Sequence, residues 1–239
     1  GIAWDRHLEK ENLMENWKLS GVPLQYKFYD NVVRARVSSK QKQTKRIFVI
    51  ISDALRYEIA QELSLIINGE KRFKAELSSQ LGVLPSYTQL GMAALLPHKT
   101  LSYKSEQGAV VFVDGKSSAG LDNRNAILQK VNGMAVSSKE LMSWSNQEGR
   151  DKVRDAEVVY IYHDTIDAMG DKLATEEKTF EACRIAIEEL KDMVGRVINR
   201  LNASRVLLTA DHGFLFQQQA LAAVDKTSLQ MKPAVAIEA

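Results

Sequence analysis

Short hydrophobic runs alternate along the chain with amphipathic stretches, and three of these runs end on acidic residues. The runs RIFVII, EVVYIY and RVLLT lack a polar alternation, which is typical of parallel strands buried on both faces. They lead to Asp53, to Asp164 and Asp167, and to Asp211 followed by His212. Ligands of open parallel sheets bind outside the carboxyl ends of the strands. We therefore expect these side chains to converge on one candidate site.

Helical periodicity between the runs predicts crossover helices. The clearest helix is TEEKTFEACRIAIEELKDMVGRVINRL, which Thr175 can cap. Its predicted apolar stripe comprises Phe180, Cys183, Ile187, Leu190, Val194, Val197 and Leu201. The run RVLLTAD follows this helix directly, so a strand–helix–strand crossover and parallel pairing are predicted. Shorter strands are predicted at 73–77 and in AVVFVDG. The fold class is α/β, with a mainly parallel sheet flanked by helices.

Changes in composition along the chain predict its organisation. Residues 1–44 look like a helical leader that is separate from the rest of the chain and ends in the basic connector SSKQKQTKR. Residues 45–239 form the predicted core, and the polar stretch at about 116–156 is interpreted as a small insertion or cap. The chain begins with Gly1 and ends on strand-forming residues, so we expect a fragment of a longer protein with its core truncated at the C-terminus.

Composition narrows the class of protein. With 239 residues, 45% hydrophobic and 26% charged, the chain suits a single globular α/β domain. A net charge of +2 neither requires nor excludes a nucleic-acid partner. The single cysteine, Cys183, excludes an internal disulfide and a cysteine-based zinc site, and it fits a reducing cytoplasm. Neither a membrane-length apolar run nor a signal pattern is present, so we expect a cytoplasmic protein without a membrane partner.

The acidic residues after the strands each have a structural and a functional interpretation. Asp53 is either the N-cap of the next helix or a metal ligand. Asp211 and His212 offer a carboxylate and an imidazole, a mixture that suits zinc or manganese, or else they form a structural turn. The segment HDTIDAMGD adds further candidates, and a solvated acidic loop is the favoured interpretation for its first two residues. These candidates are His163, Asp164, Asp167 and Asp171.

Two further residues are candidates for chemistry on phosphate. Thr88 lies at the predicted start of a helix in PSYTQLGMAALLP, where it either caps the helix or acts as a nucleophile, and Ser86 is the competing hydroxyl. A threonine hydroxyl needs a base or a metal ion to attack at neutral pH. Arg56 either binds phosphate through its guanidinium or pairs with a surface acid such as Glu58.

Four segments taken in order resemble one known family. IISDALRYE, LPSYTQLGMAALLP, YIYHDTIDAMGD and LLTADHGF are similar to the PglZ domain, a member of the alkaline phosphatase superfamily found in BREX phage-defence systems. The resemblance covers about 46–216, and the leader resembles the region upstream of the domain in type A members. It implies an alkaline-phosphatase-like core within a parent protein several times longer.

The resemblance also implies a set of site residues and two divalent ions, with zinc favoured and manganese or magnesium as alternatives. The family pattern Pro-Ser-x-Thr selects Thr88 over Ser86 as the nucleophile, and Arg56 is the candidate for the substrate phosphate. In the family pattern a His is expected where Asp171 stands, and no His follows His212. The first ion would be held by Asp53, Thr88, Asp211 and His212, and the second by Asp167, Asp171 and one more ligand.

These features predict a metal-dependent phosphohydrolase of phosphate esters, a phosphodiesterase-like domain that acts through a metal-bound threonine in a BREX defence system. A phosphatase and a nuclease are variants of this hypothesis. Its expected partners are other BREX-type proteins and a phosphate ester, with nucleic acid as one candidate. The alternative is a non-catalytic scaffold of the defence complex with an incomplete metal site. A phosphate-binding or nucleic-acid-binding module is a third hypothesis, which would show steeply salt-dependent DNA affinity.

Overall fold

The computed structural model describes residues 21–37, 46–70, 73–83, 87–103, 110–170, 176–203, 205–211 and 214–220. Its strands are β1 Ile47–Ser52, β2 Phe73–Ser79, β3 Leu101–Tyr103, β4 Val111–Val113, β5 Lys116–Ser117, β6 Gly133–Ser137, β7 Val158–His163, β8 Arg205–Thr209 and β9 Phe214–Ala220. Its α-helices after the leader are α1 Tyr57–Gly69, α2 Thr88–Ala94, α3 Gly120–Gln129, α4 Ser138–Ser143, α5 Asn146–Val153, α6 Thr165–Gly170 and α7 Glu176–Arg200.

The described strands form a six-stranded sheet in the order β2-β9-β8-β1-β7-β6 and a small antiparallel sheet of β3, β4 and β5. In the large sheet β8, β1, β7 and β6 are parallel, and β9 and β2 add an antiparallel edge. The predicted α/β class with a mainly parallel sheet is therefore confirmed. The crossover through α7 joins β7 to β8, and both strands pair with β1, which lies between them.

The central strand β1 is buried along its whole length, as its uninterrupted apolar pattern predicts. Phe48 and Ile50 face a core that α1 and α7 cover. Val49 and Ile51 face a second core on the other side of the sheet, which includes residues of α2 and of the leader. The carboxyl ends of the parallel strands thus lie at one edge of a sheet that is packed on both faces.

The described part of the leader belongs to this second core. It forms a 3₁₀ turn at Gln25–Lys27, a π-helix at Tyr29–Arg34 and a final turn at Ala35–Val37. Phe28 and Val33 are fully buried against the sheet, whereas the sequence indicates a leader separate from the core. The π-helical turns give the buried residues no regular 3.6-residue stripe, so the pattern conceals their burial. The boundary at residue 44 stays a prediction.

The polar stretch at 116–156 contains β6, a strand of the large sheet. For this strand the interpretation as an insertion or cap is wrong. β6 pairs in parallel with β7 along Gly133–Ser137 and forms one edge of the large sheet. Ile127 and Leu128 of α3 join the second core, and Leu141 of α4 joins the first. The sequence conceals this strand because GMAVS is short and contains small and polar residues, and an edge strand requires less hydrophobic sequence than a central one.

The long helix α7 confirms most of its predicted stripe, since the five residues Ile187, Leu190, Val194, Val197 and Leu201 are buried. The start of the stripe is wrong, because Phe180 is 64% exposed and Cys183 is half-buried. A helix of 25 residues extends about 37 Å and a six-residue strand about 20 Å, so its first turns pass the edge of the sheet. The proposed cap, Thr175, lies outside the described residues. Within the described part of the chain, no helix is long and apolar enough to cross a membrane.

Candidate functional site

The chain makes a tight turn immediately after β1, at Asp53 and Ala54. The Asp53 amide donates to the carbonyl of His163 over 2.8 Å, which fixes the turn to the end of β7. Ala54 has a φ of 58°, a left-handed conformation that residues with a Cβ rarely adopt and that is often found at functional sites. Helix α1 begins only at Tyr57, with Arg56 as its N-cap. The interpretation of Asp53 as the cap of this helix is therefore wrong.

The end of β8 meets this turn. Asp211 follows the strand after Ala210 and is only 7% exposed. Its Oδ1 accepts a hydrogen bond from the Ala54 amide over 3.2 Å. The half-buried Asp53 and the buried Asp211 thus lie at the ends of adjacent parallel strands. The structure brings these two predicted residues together, and their role as metal ligands stays a prediction.

Helix α2 is packed directly against the Asp211 turn. A Cβ on Gly91 would lie 2.7 Å from the carbonyl oxygen of Asp211 and 2.9 Å from its Cβ, closer than side-chain carbons approach other atoms. Tyr87 is the N-cap of this helix and Thr88 is its first helical residue, so Thr88 does not act as the cap. Residues three apart lie on one face of a helix, so Thr88 shares the face that Gly91 presents to Asp211. Thr88 itself is half-buried.

A hydrogen-bonded chain of polar groups, from the buried Ser52 and His163 to the exposed Glu189, lies next to the turn after β1. His163 is 2% exposed, and its Nδ1 lies 2.8 Å from the hydroxyl of Ser52, the last residue of β1. Its Nε2 lies 2.7 Å from Oε2 of Glu189 on α7, which also accepts the Thr165 hydroxyl over 2.5 Å. The expectation of a solvated His163 is therefore wrong, while Asp164 is exposed as expected.

The groups hydrogen-bonded to Glu189 favour the ionised form of its carboxyl. Burial would raise the pKa of this carboxyl, but the hydrogen bonds from Thr165 and His163 and the electrostatic interaction with His163 together lower the pKa below 4.5, the ordinary value for glutamate. When the Glu189 carboxylate accepts a hydrogen bond from the Nε2–H of a neutral imidazole, Nδ1 carries no proton and accepts a hydrogen bond from the Ser52 hydroxyl. The arrangement fixes the imidazole ring and links the ends of β1 and β7 to α7.

The remaining predicted ligands lie partly outside the described residues. The backbone of Asp167 belongs to α6, which begins two positions after β7, but its side chain is not described, and neither Asp171 nor His212 is described. Among the described residues, no group of three or more His, Cys, Asp or Glu side chains could hold a metal ion. The Asp53 and Asp211 carboxylates offer hard oxygen atoms, a donor type that fits a divalent cation, and their role as ligands stays a prediction.

Arg56 precedes α1, which packs on the first core, whereas Thr88 begins α2, which packs on the second. It is exposed at the start of α1, and it lines a groove between α1 and α7 together with Phe180 and Cys183. Burial raises the pKa of the Cys183 thiol, and the positive charge of Arg56 opposes that shift. Binding of the substrate phosphate by Arg56 stays a prediction.

A mainly parallel sheet flanked by helices, with Asp53 and Asp211 at its strand ends and the helix that begins at Thr88 packed against the Asp211 turn, is consistent with an alkaline-phosphatase-like domain. The family model for the "BREX system PglZ alkaline phosphatase-like domain" matches residues 28–239, and the chain belongs to this family. The match begins within the leader, at Phe28, which the structure buries in the second core.

Two curated relatives are similar to nearly the whole chain. It is 60% identical over 230 residues to the alkaline phosphatase-like protein BrxZ of Escherichia coli O9:H4 (strain HS). This alignment covers 96% of the chain and 26% of the relative. It is 40% identical over 227 residues to the alkaline phosphatase-like protein PglZ of Bacillus cereus (strain H3081.97), which covers 94% of the chain and 26% of the relative. The chain therefore spans about a quarter of the length of these relatives.

Gly91 and Gln25 contact Asp211 and its neighbour Ala210 and are not evident from the sequence as functional positions, whereas His163 is among the sequence candidates. Gly91 is visible only as an anomaly, a glycine within a helical pattern. His163 carries a usable signal, because it follows an uninterrupted apolar run and so occupies the last position of a buried strand. Gln25 carries none, since it lies in a mixed segment of the leader and its contacts are remote in sequence.

Proposed function

We propose that this chain is the metal-dependent phosphohydrolase domain of a BREX defence protein and acts on phosphate esters, with phosphodiesters favoured. The observation that carries this proposal is the convergence of the Asp53 and Asp211 turns under the helix that begins at Thr88. The family description supports the same reaction class and the link to BREX. Other BREX proteins are the proposed partners.

The proposed site combines a threonine with two groups of ligands. Asp53, Asp211 and His212, with the Thr88 oxygen, would hold one divalent ion. Asp167 and Asp171 would contribute to a second. Zinc is favoured, with manganese or magnesium as alternatives. When bound, such ions supply Lewis-acid stabilisation of the phosphoryl oxygens and lower the pKa of a coordinated hydroxyl.

In the proposed reaction the Thr88 hydroxyl is the nucleophile. The hydroxyl releases its proton and its oxygen attacks phosphorus, the bond from phosphorus to the leaving oxygen breaks on the opposite side, and the leaving oxygen takes up a proton. Water next attacks the phosphothreonine, releases the phosphate product and restores the hydroxyl. The close packing of Gly91 against the Asp211 turn sets how near α2 lies to the end of β8. Such fixed geometry is worth several kcal/mol of the barrier, on the order of 7 or more for well-aligned groups.

The test is hydrolysis of nitrophenyl mono- and diesters by the full-length protein with added zinc, manganese or magnesium, combined with metal analysis. We expect Thr88→Ala to reduce metal-dependent turnover by roughly 10³-fold or more. Thr88→Ser keeps a hydroxyl and should retain part of the activity, and Ser86→Ala should retain most of it. Full chelator-sensitive turnover in Thr88→Ala would reject this nucleophile.

The alternative, a non-catalytic scaffold, is favoured by one specific observation. Asp171 stands where the family pattern places a histidine, which weakens the case for a complete second site. A scaffold predicts less than one equivalent of metal per chain and no turnover of either ester. A rate that chelator abolishes would exclude it.

A further inference from the structure

We propose that Gln25, a leader residue, is a positioning residue of the candidate site, an inference that rests on the proposed function. Its side chain is completely buried. Nε2 donates to the carbonyl of Ala210 over 3.0 Å, and Oε1 accepts the amide of Val83 over 3.1 Å. One amide group therefore bridges two segments that are distant from it in sequence.

Both partners of this amide lie close in sequence to proposed catalytic groups. Ala210 is the residue before Asp211, so the bond to its carbonyl holds the base of the Asp211 turn. Val83 lies on the approach to α2, five residues before Thr88. The side chain of Gln25 thus sets the separation between the carboxylate that ends β8 and the segment that delivers the nucleophile.

Backbone contacts hold Gln25 in place for this task. Its own amide donates to the carbonyl of Leu81 over 2.9 Å, and the Leu81 amide donates to Pro23 over 2.8 Å. Leu24 forms a parallel bridge with Leu81. The leader therefore pairs with the segment before Thr88, and the side chain of Gln25 carries this connection on to β8.

Loss of these bonds would remove a partner from the carbonyl of Ala210 and from the amide of Val83. Leaving buried polar groups unsatisfied costs free energy, so the observed arrangement is strongly favoured. A similar pair of side-chain hydrogen bonds occurs at the exposed Asn68, which provides a control for the loss of an amide away from the candidate site. Asn68 at the end of α1 donates from Nδ2 to the carbonyl of Ala75 over 3.1 Å and accepts its amide at Oδ1 over 2.8 Å. Through β9, Ala75 lies level with Val206, at the amino end of β8 and remote from Asp211.

The experiment compares Gln25→Met with Asn68→Leu in the full-length protein, each variant losing both side-chain bonds at similar size. Hydrogen exchange is measured on peptides covering 83–91 and 206–211, and manganese affinity is measured by calorimetry. We expect Gln25→Met to accelerate exchange in both peptides and to weaken manganese binding by roughly 10–100-fold. Asn68→Leu should leave both peptides and the affinity unchanged. Gln25→Asn, which is too short to keep both bonds, is the milder variant if the Met protein does not fold.

Turnover separates a positioning role from a general loss of stability. At saturating metal, Gln25→Met should lower kcat with little change in KM, even when kcat is calculated from the concentration of folded protein. If the variant is only partly unfolded, kcat calculated in this way equals the wild-type value. If exchange in the two peptides is unchanged, or rises equally in Asn68→Leu, the proposal is overturned. If the wild-type protein neither binds metal nor turns over esters, the proposed function fails, while the exchange measurement still decides the role of Gln25.

Discussion

Gly91 lies inside a helix, where glycine is normally unfavourable, and directly over the Asp211 turn. Its missing Cβ allows the backbone of α2 to approach the carbonyl of Asp211 more closely than any other residue would permit. Ala54 makes a related contribution at the neighbouring strand end, because its left-handed backbone directs its amide to the Asp211 carboxylate. The positions of the proposed ligands are thus set largely by backbone contacts around them.

Substitution of Gly91 tests the importance of this close approach. We expect Gly91→Ala to lower the free energy of unfolding by about 1–3 kcal/mol, because the new Cβ meets backbone atoms that cannot rotate away. The matched control is Gly195→Ala in α7, where a Cβ would meet nothing within 4 Å. There alanine should raise the stability by about 0.5–1 kcal/mol through its helix propensity. Denaturant titration measures both, and equal effects would contradict the close contact.

The candidate residues divide by how far their partners lie along the chain. Asp53 and Asp211 could be predicted, since each follows a buried strand and the strand rule places both at one edge of the sheet. The contacts of Gln25 span 185 and 58 residues, to Ala210 and Val83, and no local pattern reports such a pairing. The sequence thus predicts the candidate ligands at the strand ends better than it predicts the residues that position them.

At the scale of elements, the ends of β1 and β7 are joined to α7 by the chain from Ser52 through His163 to Glu189. Asp53 follows Ser52, so this chain fixes the strand end that carries a proposed ligand. The helix α7 therefore has a second role besides covering the first core: its carboxylate holds the imidazole ring between the two strands.

Acid should weaken this connection. The pKa of Glu189 is lowered in the folded protein from the ordinary value of 4.5, so its contribution to stability is complete above that value and is lost as the pH falls below it. At about pH 7 we expect Glu189→Gln to be less stable than wild type by no more than about 1 kcal/mol, because the side chain is 45% exposed and solvent screens it. The difference should shrink toward about pH 4 in denaturant titrations. Glu188→Gln, an exposed carboxylate one residue earlier on α7, is the control and should change the stability at about pH 7 by less than Glu189→Gln does.

The elements of the fold could be predicted where their burial is uniform. β1, β7 and β8 are continuous apolar runs because they occupy the middle of the sheet, and α7 shows its stripe where it crosses that sheet. β6 could not be predicted because an edge strand is covered less completely, and its burial pattern includes half-exposed positions. An element can be predicted from the sequence when its burial is uniform, because the hydrophobic pattern then shows whether one or both of its faces are buried.

At the scale of the whole molecule, one sheet separates two cores, and the leader is part of the core on the α2 side. Phe28 and Val33 pack there with Ile51 and with Leu95, beyond the end of α2. The leader therefore supports the helix that begins with Thr88 both by apolar packing and through Gln25. Removal of the leader is expected to affect the candidate site as well as the stability of the domain.

This role of the leader is tested by truncating one buried aromatic side chain in it. Phe28 is fully buried, and we expect Phe28→Ala to lower the free energy of unfolding by about 3–5 kcal/mol, through lost apolar burial and the cavity left behind. Phe180→Ala is the matched control, because Phe180 is 64% exposed on α7 and its loss should change stability by no more than about 0.5 kcal/mol. Denaturant unfolding of the full-length variants measures both values. If the leader were separate from the core, as its sequence suggests, Phe28→Ala and Phe180→Ala would both lower the free energy of unfolding only slightly. A leader that shares the second core requires a large loss of stability in Phe28→Ala alone.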